Sequence, residues 1–214
     1  MSDFFAMMLA VAGGVSLTGV ALVFFIGSFT PGPNNLILLM SGSRVGFWRT
    51  FPQVWGIVVG VATLLVLQGY FLAELFERLP WTYLVLRVLF TLFLLWLAWK
   101  VATSDPMERG EQKGLLFPIP FGFWRSYLFQ AINPKAWVIV GTIITNYSSG
   151  DADVVALEAV VMAVVPMPLS LLSASLWSLF GVGLRGWLGD ARRARIFNVT
   201  MAGLLVVALA LSFT

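Results

Sequence analysis

Phe29-Thr30-Pro31-Gly32-Pro33-Asn34-Asn35 interrupts an apolar run from about residue 15 to 40, in a region with no charge between Asp3 and Arg44. Two prolines and a glycine this close together cannot continue a helix. Pro31 and Pro33 have no N–H, so the carbonyls of Gly27 and Phe29, four residues back, lose their helical partners. On a soluble surface the stretch would be a turn. Inside a bilayer, freed backbone groups are tolerated only where they face protein or a watery cavity. The stretch therefore marks a ligand site or a plain helix kink.

The surrounding composition places it in a bilayer. Of 214 residues, 59% are hydrophobic and 11% charged, with a mean hydropathy of +0.92. Apolar runs of membrane-spanning length recur, which predicts an all-α membrane protein. A β-barrel would show short alternating segments instead. The longest polar stretch, 104–114, is only a loop, so the whole chain 1–214 is expected to be one transmembrane domain. The net charge of +3 comes from loop residues and does not suggest nucleic-acid binding. With no cysteine and no histidine, disulfides, thiol chemistry and histidine-based metal sites are excluded, and no metal or cofactor is expected. Met1-Ser2-Asp3-Phe4 lacks the basic region of a signal peptide and reads as retained.

At ~20 residues per crossing, six transmembrane helices are predicted. Their approximate cores are 15–40, 52–73, 81–103, 123–147, 154–180 and 196–213, with an extra piece before the first. Trp48, Trp55, Trp81, Trp99, Trp124, Tyr147 and Trp187 fall near their ends, as interfacial anchors do. Arg44 and Arg49; Lys100, Arg109, Lys113 and Arg125; and Arg185, Arg192, Arg193 and Arg195 all lie on one side, against Arg78 alone on the other. The basic side is expected to be cytoplasmic, with both termini periplasmic. Three breaks are predicted, in spans one, four and five, at Thr30–Pro33, Asn133-Pro134 and Pro166-Met167-Pro168. The first two lie three spans apart. An odd number of spans inverts the second half, so two inverted three-helix repeats are expected, about 15–103 and 123–213.

Taken as helix starts, the matched breaks make one site. Gly32 would cap and Pro33 begin one half-helix, followed by Asn34 and Asn35. Asn133 would cap and Pro134 begin the other, followed by Lys135. Both positive helix ends would face a shared region near mid-membrane. With unpaired N–H groups and Lys135, they form an anion pocket. Lys135 is the one cation deep in a span, costing ~2.5–3.5 kcal/mol on insertion scales. It either serves the site or pairs with a backbone carbonyl to lock the fold. Freed carbonyls at Gly27, Phe29 and Gln130 could accept an ammonium group, so the pocket suits a zwitterion. The expected binding residues are Thr30, Pro31, Gly32, Pro33, Asn34, Asn35, Asn133, Pro134 and Lys135. No acid is read as lying deep in a span; Glu158, about one turn in, is the nearest. Gly56-x-x-x-Gly60 reads as a small-residue packing face.

These residues carry a resemblance. Thr30-Pro31-Gly32-Pro33-Asn34-Asn35, then Gly46, Gly56 and Gly60, Asn133-Pro134-Lys135-Ala136, Ser173-x-x-x-Trp177-x-x-x-Gly181 and Arg195-x-Phe197-Asn198-x-x-Met201 resemble the LysE/RhtB family of bacterial amino-acid exporters. The likeness covers nearly the whole chain from about Val15. It implies a secondary transporter in the bacterial inner membrane that exports amino acids or close derivatives on the proton-motive force. Many relatives carry an acid just after the second glycine of span two; this chain has Val61. The partners implied are an amino-acid substrate and the lipid bilayer, with homo-oligomer formation left open. The alternative is an anion or small-solute channel with Lys135 as selectivity residue. An intramembrane enzyme would need a Ser–Lys dyad, and no serine lies convincingly near Lys135 in sequence, so no enzyme is expected. Lacking a carboxylate, the site should favour neutral amino acids over lysine or arginine.

Overall fold

The computed structural model describes residues 14–72, 81–103, 121–149 and 155–211, and the regular secondary structure among them is helical. The piece before residue 14, Arg78, and the loop carrying Arg109 and Lys113 lie outside the described residues.

Helix α1, Leu17–Phe29, begins at Ser16, whose hydroxyl accepts from Gly19 N–H at 3.4 Å. It stops where Pro31 and Pro33 withhold donors. Helix α2, Pro33–Val45, starts again at an angle of 53°. A single residue, Gly46, then joins α2 to α3, Phe47–Leu67. Its φ of 87° is a left-handed conformation open to glycine at no steric cost. Gly46 N–H closes α2 on Gly42, and its carbonyl opens α3 by accepting from Thr50. Helix α3 runs on through a π turn, Gln68–Leu72.

Helix α4 is Trp81–Ala102. Helix α5, Gly122–Phe129, passes through a 3₁₀ turn, Gln130–Ile132, and restarts as α6, Pro134–Tyr147. Helices α7, Val155–Val164, and α8, Met167–Leu184, precede α9, Ala191–Leu211.

Among the described residues, 47–70 and 157–184 are each long and apolar enough to cross a membrane, and the bent pair α1–α2 adds a third such unit. The break expected in span five is therefore slight. Val165 and Pro166 make only a turn, because Pro166 and Pro168 sit at the N-cap and second position of α8, where an N–H is dispensable. Helix α3 also starts earlier than expected, leaving Pro52 inside it.

Helix α2 is the centre. Asn35 through Gly42 are all buried, and the polar Asn35 and Ser41 among them are held by side-chain hydrogen bonds, Asn35 to Ser28 O and Thr30 O and Ser41 to Gln53. On one side Leu38 joins a cluster with Phe24, Val54, Ile57, Val61, Val140, Ile143 and Met162. On the other, Leu36, Ile37 and Met40 join Ala98, Val101, Phe121, Phe129, Ala202 and Leu205. Two helix pairs meet backbone to backbone. A Cβ at Gly42 would collide with the Ser178 carbonyl, and one at Gly181 with that of Leu39, so α2 lies directly on α8. Gly56 and Gly60 bring α3 as close to Phe123 and Tyr127 of α5. The surface is apolar in turn. Leu84, Val88, Leu92, Val199 and Val207 are exposed, and Trp48, Trp81, Trp99, Trp124 and Trp187 stand exposed near helix ends.

Candidate functional site

The two broken helices meet. Gly32 caps α2 with Pro33 at its first position, and Asn133 caps α6 with Pro134 at its first. The first paired backbone donors are Leu36 N–H, to Gly32, and Trp137 N–H, to Asn133. The N–H groups of Asn34, Asn35, Lys135 and Ala136 are the orphans of two helix starts. Neither N-cap covers them with a side-chain bond.

The carbonyl end of α1 is closed by borrowed donors. Thr30 Oγ1 donates to Gly27 O at 3.1 Å. Asn35 Nδ2 reaches back to Ser28 O and Thr30 O, both at 2.8 Å. Ser173 Oγ, from α8, also donates to Ser28 O, at 2.8 Å. Lys135 Nζ bonds Thr30 O at 2.5 Å, Thr30 Oγ1 at 2.7 Å and Pro31 O at 3.1 Å. An ammonium group has three donors, and these three acceptors use all of them. The carbonyls expected to receive a substrate ammonium are thus differently placed. Gly27 O is taken by Thr30, and Gln130 O accepts Asn133 N–H at 3.2 Å. The carbonyls that do hold an ammonium are those of Thr30 and Pro31, and it is the chain's own.

The lysine side chain lies along Gly32. A Cβ there would fall 2.6 Å from Lys135 Cδ and 3.0 Å from Nζ. Gly32 itself is extended, at φ −174°, a conformation any residue adopts. The need for glycine is room for Lys135, not backbone conformation.

Gln130, known from sequence only as a freed carbonyl, organises the rest. It is 1% exposed and exchanges amide bonds with Asn34, Nδ2 to Oε1 at 2.9 Å and Nε2 to Oδ1 at 3.1 Å. Its Nε2 also donates to Ser126 O at 2.8 Å, and its Oε1 accepts Asn133 Nδ2 at 3.2 Å. Both donors and both acceptor positions are in use, tying the starts of α2 and α6 together. Asn133 Oδ1 remains buried without a partner among the described residues. A glutamine three residues before an Asn-Pro helix start, in an apolar span, was the available signal.

A cavity of about 50 Å³ lies over this junction. It is lined by Ser28, Gly32, Pro33, Asn34, Asn35, Asn133 and Lys135, by Ser170 and Ser173, and by apolar residues including Phe24, Leu38, Ile57, Val61 and Ile139. Lys135 is the single titratable side chain among them. The volume suits a few waters and falls short of the ~150 Å³ that admits benzene. Glu158, read from sequence as lying only a turn inside, is 4% exposed. It accepts from Ser148 Oγ at 2.7 Å and Ser149 N–H at 3.0 Å, beyond the far end of α6.

Comparison with known proteins agrees with this picture. Residues 25–214 match the family model for the LysE type translocator. The cysteine/O-acetylserine efflux protein of Klebsiella pneumoniae is 32% identical over 176 residues, 81% of this chain and 79% of that protein. Those of Salmonella typhimurium and Escherichia coli K12 are 31% and 32% identical over 110 residues, 51% of this chain. These two matches span about half the relatives' length, 54% of each. No solved structure matches. On the family match across nearly its whole length, with the Pro-Gly-Pro-Asn-Asn and Asn-Pro-Lys breaks joined at one cavity, the chain belongs to the LysE type translocator family.

Proposed function

We propose that the chain is a secondary transporter that exports small neutral amino acids, of the class of cysteine and O-acetylserine named for its relatives, across the bacterial inner membrane on the proton-motive force. The observation that carries this is the convergence of two uncapped helix starts on one cavity whose lining holds a cation and no acid. A substrate carboxylate fits the N–H groups of Asn34, Asn35, Lys135 and Ala136, supported by both helix dipoles. Thr30, Pro31, Gly32, Pro33, Asn133 and Pro134 shape and hold that junction. Ser28, Ser170 and Ser173 suit a short polar side chain. A cationic side chain would find no counter-charge there. In proteoliposomes, cysteine or O-acetylserine should be exported and show counterflow, while lysine moves at least about tenfold more slowly, a difference of ~1.4 kcal/mol. Robust lysine export with no neutral substrate overturns the reading, and flux without saturation or counterflow points to a channel.

The same proposal includes six crossings in two inverted repeats, with both termini periplasmic. It is supported by the basic residues at the ends of α2, α4 and α8 and the starts of α3, α5 and α9. Reporter fusions at Thr214 and Gly110 should report opposite sides, with Gly110 cytoplasmic. A cytoplasmic C-terminus rejects the arrangement.

A further inference from the structure

The site contains an ammonium seat that is already filled. Thr30 O, Thr30 Oγ1 and Pro31 O converge on one point at the C-terminal end of α1, where the helix dipole is negative. They hold a primary ammonium by all three of its hydrogens, without any carboxylate. An amino acid presents the same –NH₃⁺ head. Its carboxylate would sit on the orphan N–H groups at the starts of α2 and α6, which border the cavity that Lys135 and Gly32, next to the seat, also line. Lys135 itself belongs to that second helix start, so the two subsites are joined through one residue.

Two ammonium groups cannot share one seat. Each would lose hydrogen bonds to the other, and their like charges would repel at that separation. We propose that Lys135 is the proton-coupling residue of transport: protonated, it occupies the substrate's ammonium subsite at Thr30 and Pro31; deprotonated, it yields that subsite. This rests on the export reading above. On the loading side the Nζ–H bond gives its proton to water, leaving a neutral amine, and the zwitterion docks. On the release side a proton from water adds to the Nζ lone pair, the ammonium retakes Thr30 and Pro31, and the zwitterion leaves. No covalent bond to substrate forms. Each cycle moves one proton inward and one neutral zwitterion outward.

No other group in reach serves. The cavity lining contributed by α1, α2, α3, α6 and α8 has no second titratable side chain among the described residues. Glu158 lies ~20 Å away along α6, at 1.5 Å per residue from Lys135 to Ser148. A lysine serving only as a lock between α1 and α6 would keep its proton throughout and leave substrate affinity independent of pH.

The purified protein tests this with S-methyl-L-cysteine, a chemically stable neutral amino acid, by calorimetry at pH 6–8 in buffers of different ionisation heat. Binding should release about one proton per substrate at pH 6 and fewer toward pH 8, and Kd should fall as pH rises, by up to about tenfold per pH unit, as one linked proton requires. A pH-independent Kd without proton release overturns the coupling role and leaves the export reading standing. Absence of binding at every pH overturns the export reading, and this inference with it. The seat is tested without substrate. Lys135→Ala leaves a gap the shape of n-propylammonium, which should raise its melting temperature while n-propanol does not. Equal or absent effects of the two overturn the ammonium seat, and where this variant fails to fold, the wild-type proton count decides.

Discussion

Lys135→Met reduces uphill amino-acid export to background, by more than about a hundredfold, or ~2.7 kcal/mol in transition-state terms, while the protein stays folded. Methionine keeps the unbranched side chain as far as Cε, and with it the packing along Gly32. It removes the donor to Thr30 O, Thr30 Oγ1 and Pro31 O. Thr30 O keeps Asn35 Nδ2 and Thr30 Oγ1 still donates to Gly27 O, so of the three only Pro31 O is left without a partner among the described residues, at ~1–3 kcal/mol. Against this, a cation in the membrane interior costs ~2.5–3.5 kcal/mol even on insertion scales, and that cost disappears. The net change in folding is therefore small beside the loss of function. Monodispersity and melting temperature measure the first; proteoliposome efflux against a concentration gradient measures the second. A monodisperse Lys135→Met protein exporting at the native rate would refute the assignment of the site.

Gly181→Ala should lower the melting temperature by on the order of 10 °C, while Gly183→Ala, two residues along the same helix, leaves it unchanged or raises it. A Cβ at Gly181 meets the carbonyl and Cα of Leu39, which are backbone atoms on a helix buried on all sides. Neither α2 nor α8 can yield locally. The cost is placed at or above the top of the ~1–3 kcal/mol range for overpacking, with ~2–4 °C per kcal/mol for a chain of this size. At Gly183 a Cβ meets nothing within 4 Å, and alanine gains up to ~1 kcal/mol of helix propensity. Thermal denaturation in detergent compares them directly. Equal melting temperatures would mean that α2 and α8 do not touch at Leu39.

Much of the site was legible because proline acts locally. A missing N–H costs a helix one bond wherever the chain goes; Pro52 stays inside a continuous α3, but where a capping residue precedes the proline, as at Gly32-Pro33 and Asn133-Pro134, the helix starts again there. The same rule misled at Pro166 and Pro168, because proline is harmless in the first turn of a helix and only the backbone shows where that turn falls. Gly56 and Gly60 were legible as a packing face, but not as the seat of Phe123 and Tyr127. The burial of Glu158 was not legible, because depth along a helix does not give burial; Ser148 and Ser149 bond its carboxylate.

The sequence by itself determined an apolar helical chain, its broken helices, the caps that start them and the cation beside one of them. These depend on composition, on local backbone chemistry and on the rarity of charge in a membrane interior. Only the tertiary structure decided which donor meets which carbonyl. Lys135 and Thr30 lie 105 residues apart, and Asn34 and Gln130 lie 96 apart. Hydrogen bonds of about 3 Å between such residues require two helix ends to be brought to one point, and glycine contacts on α2, α3 and α8 fix that position. Sequence spacing contains the donors and the acceptors; the packing of the helices chooses the pairs.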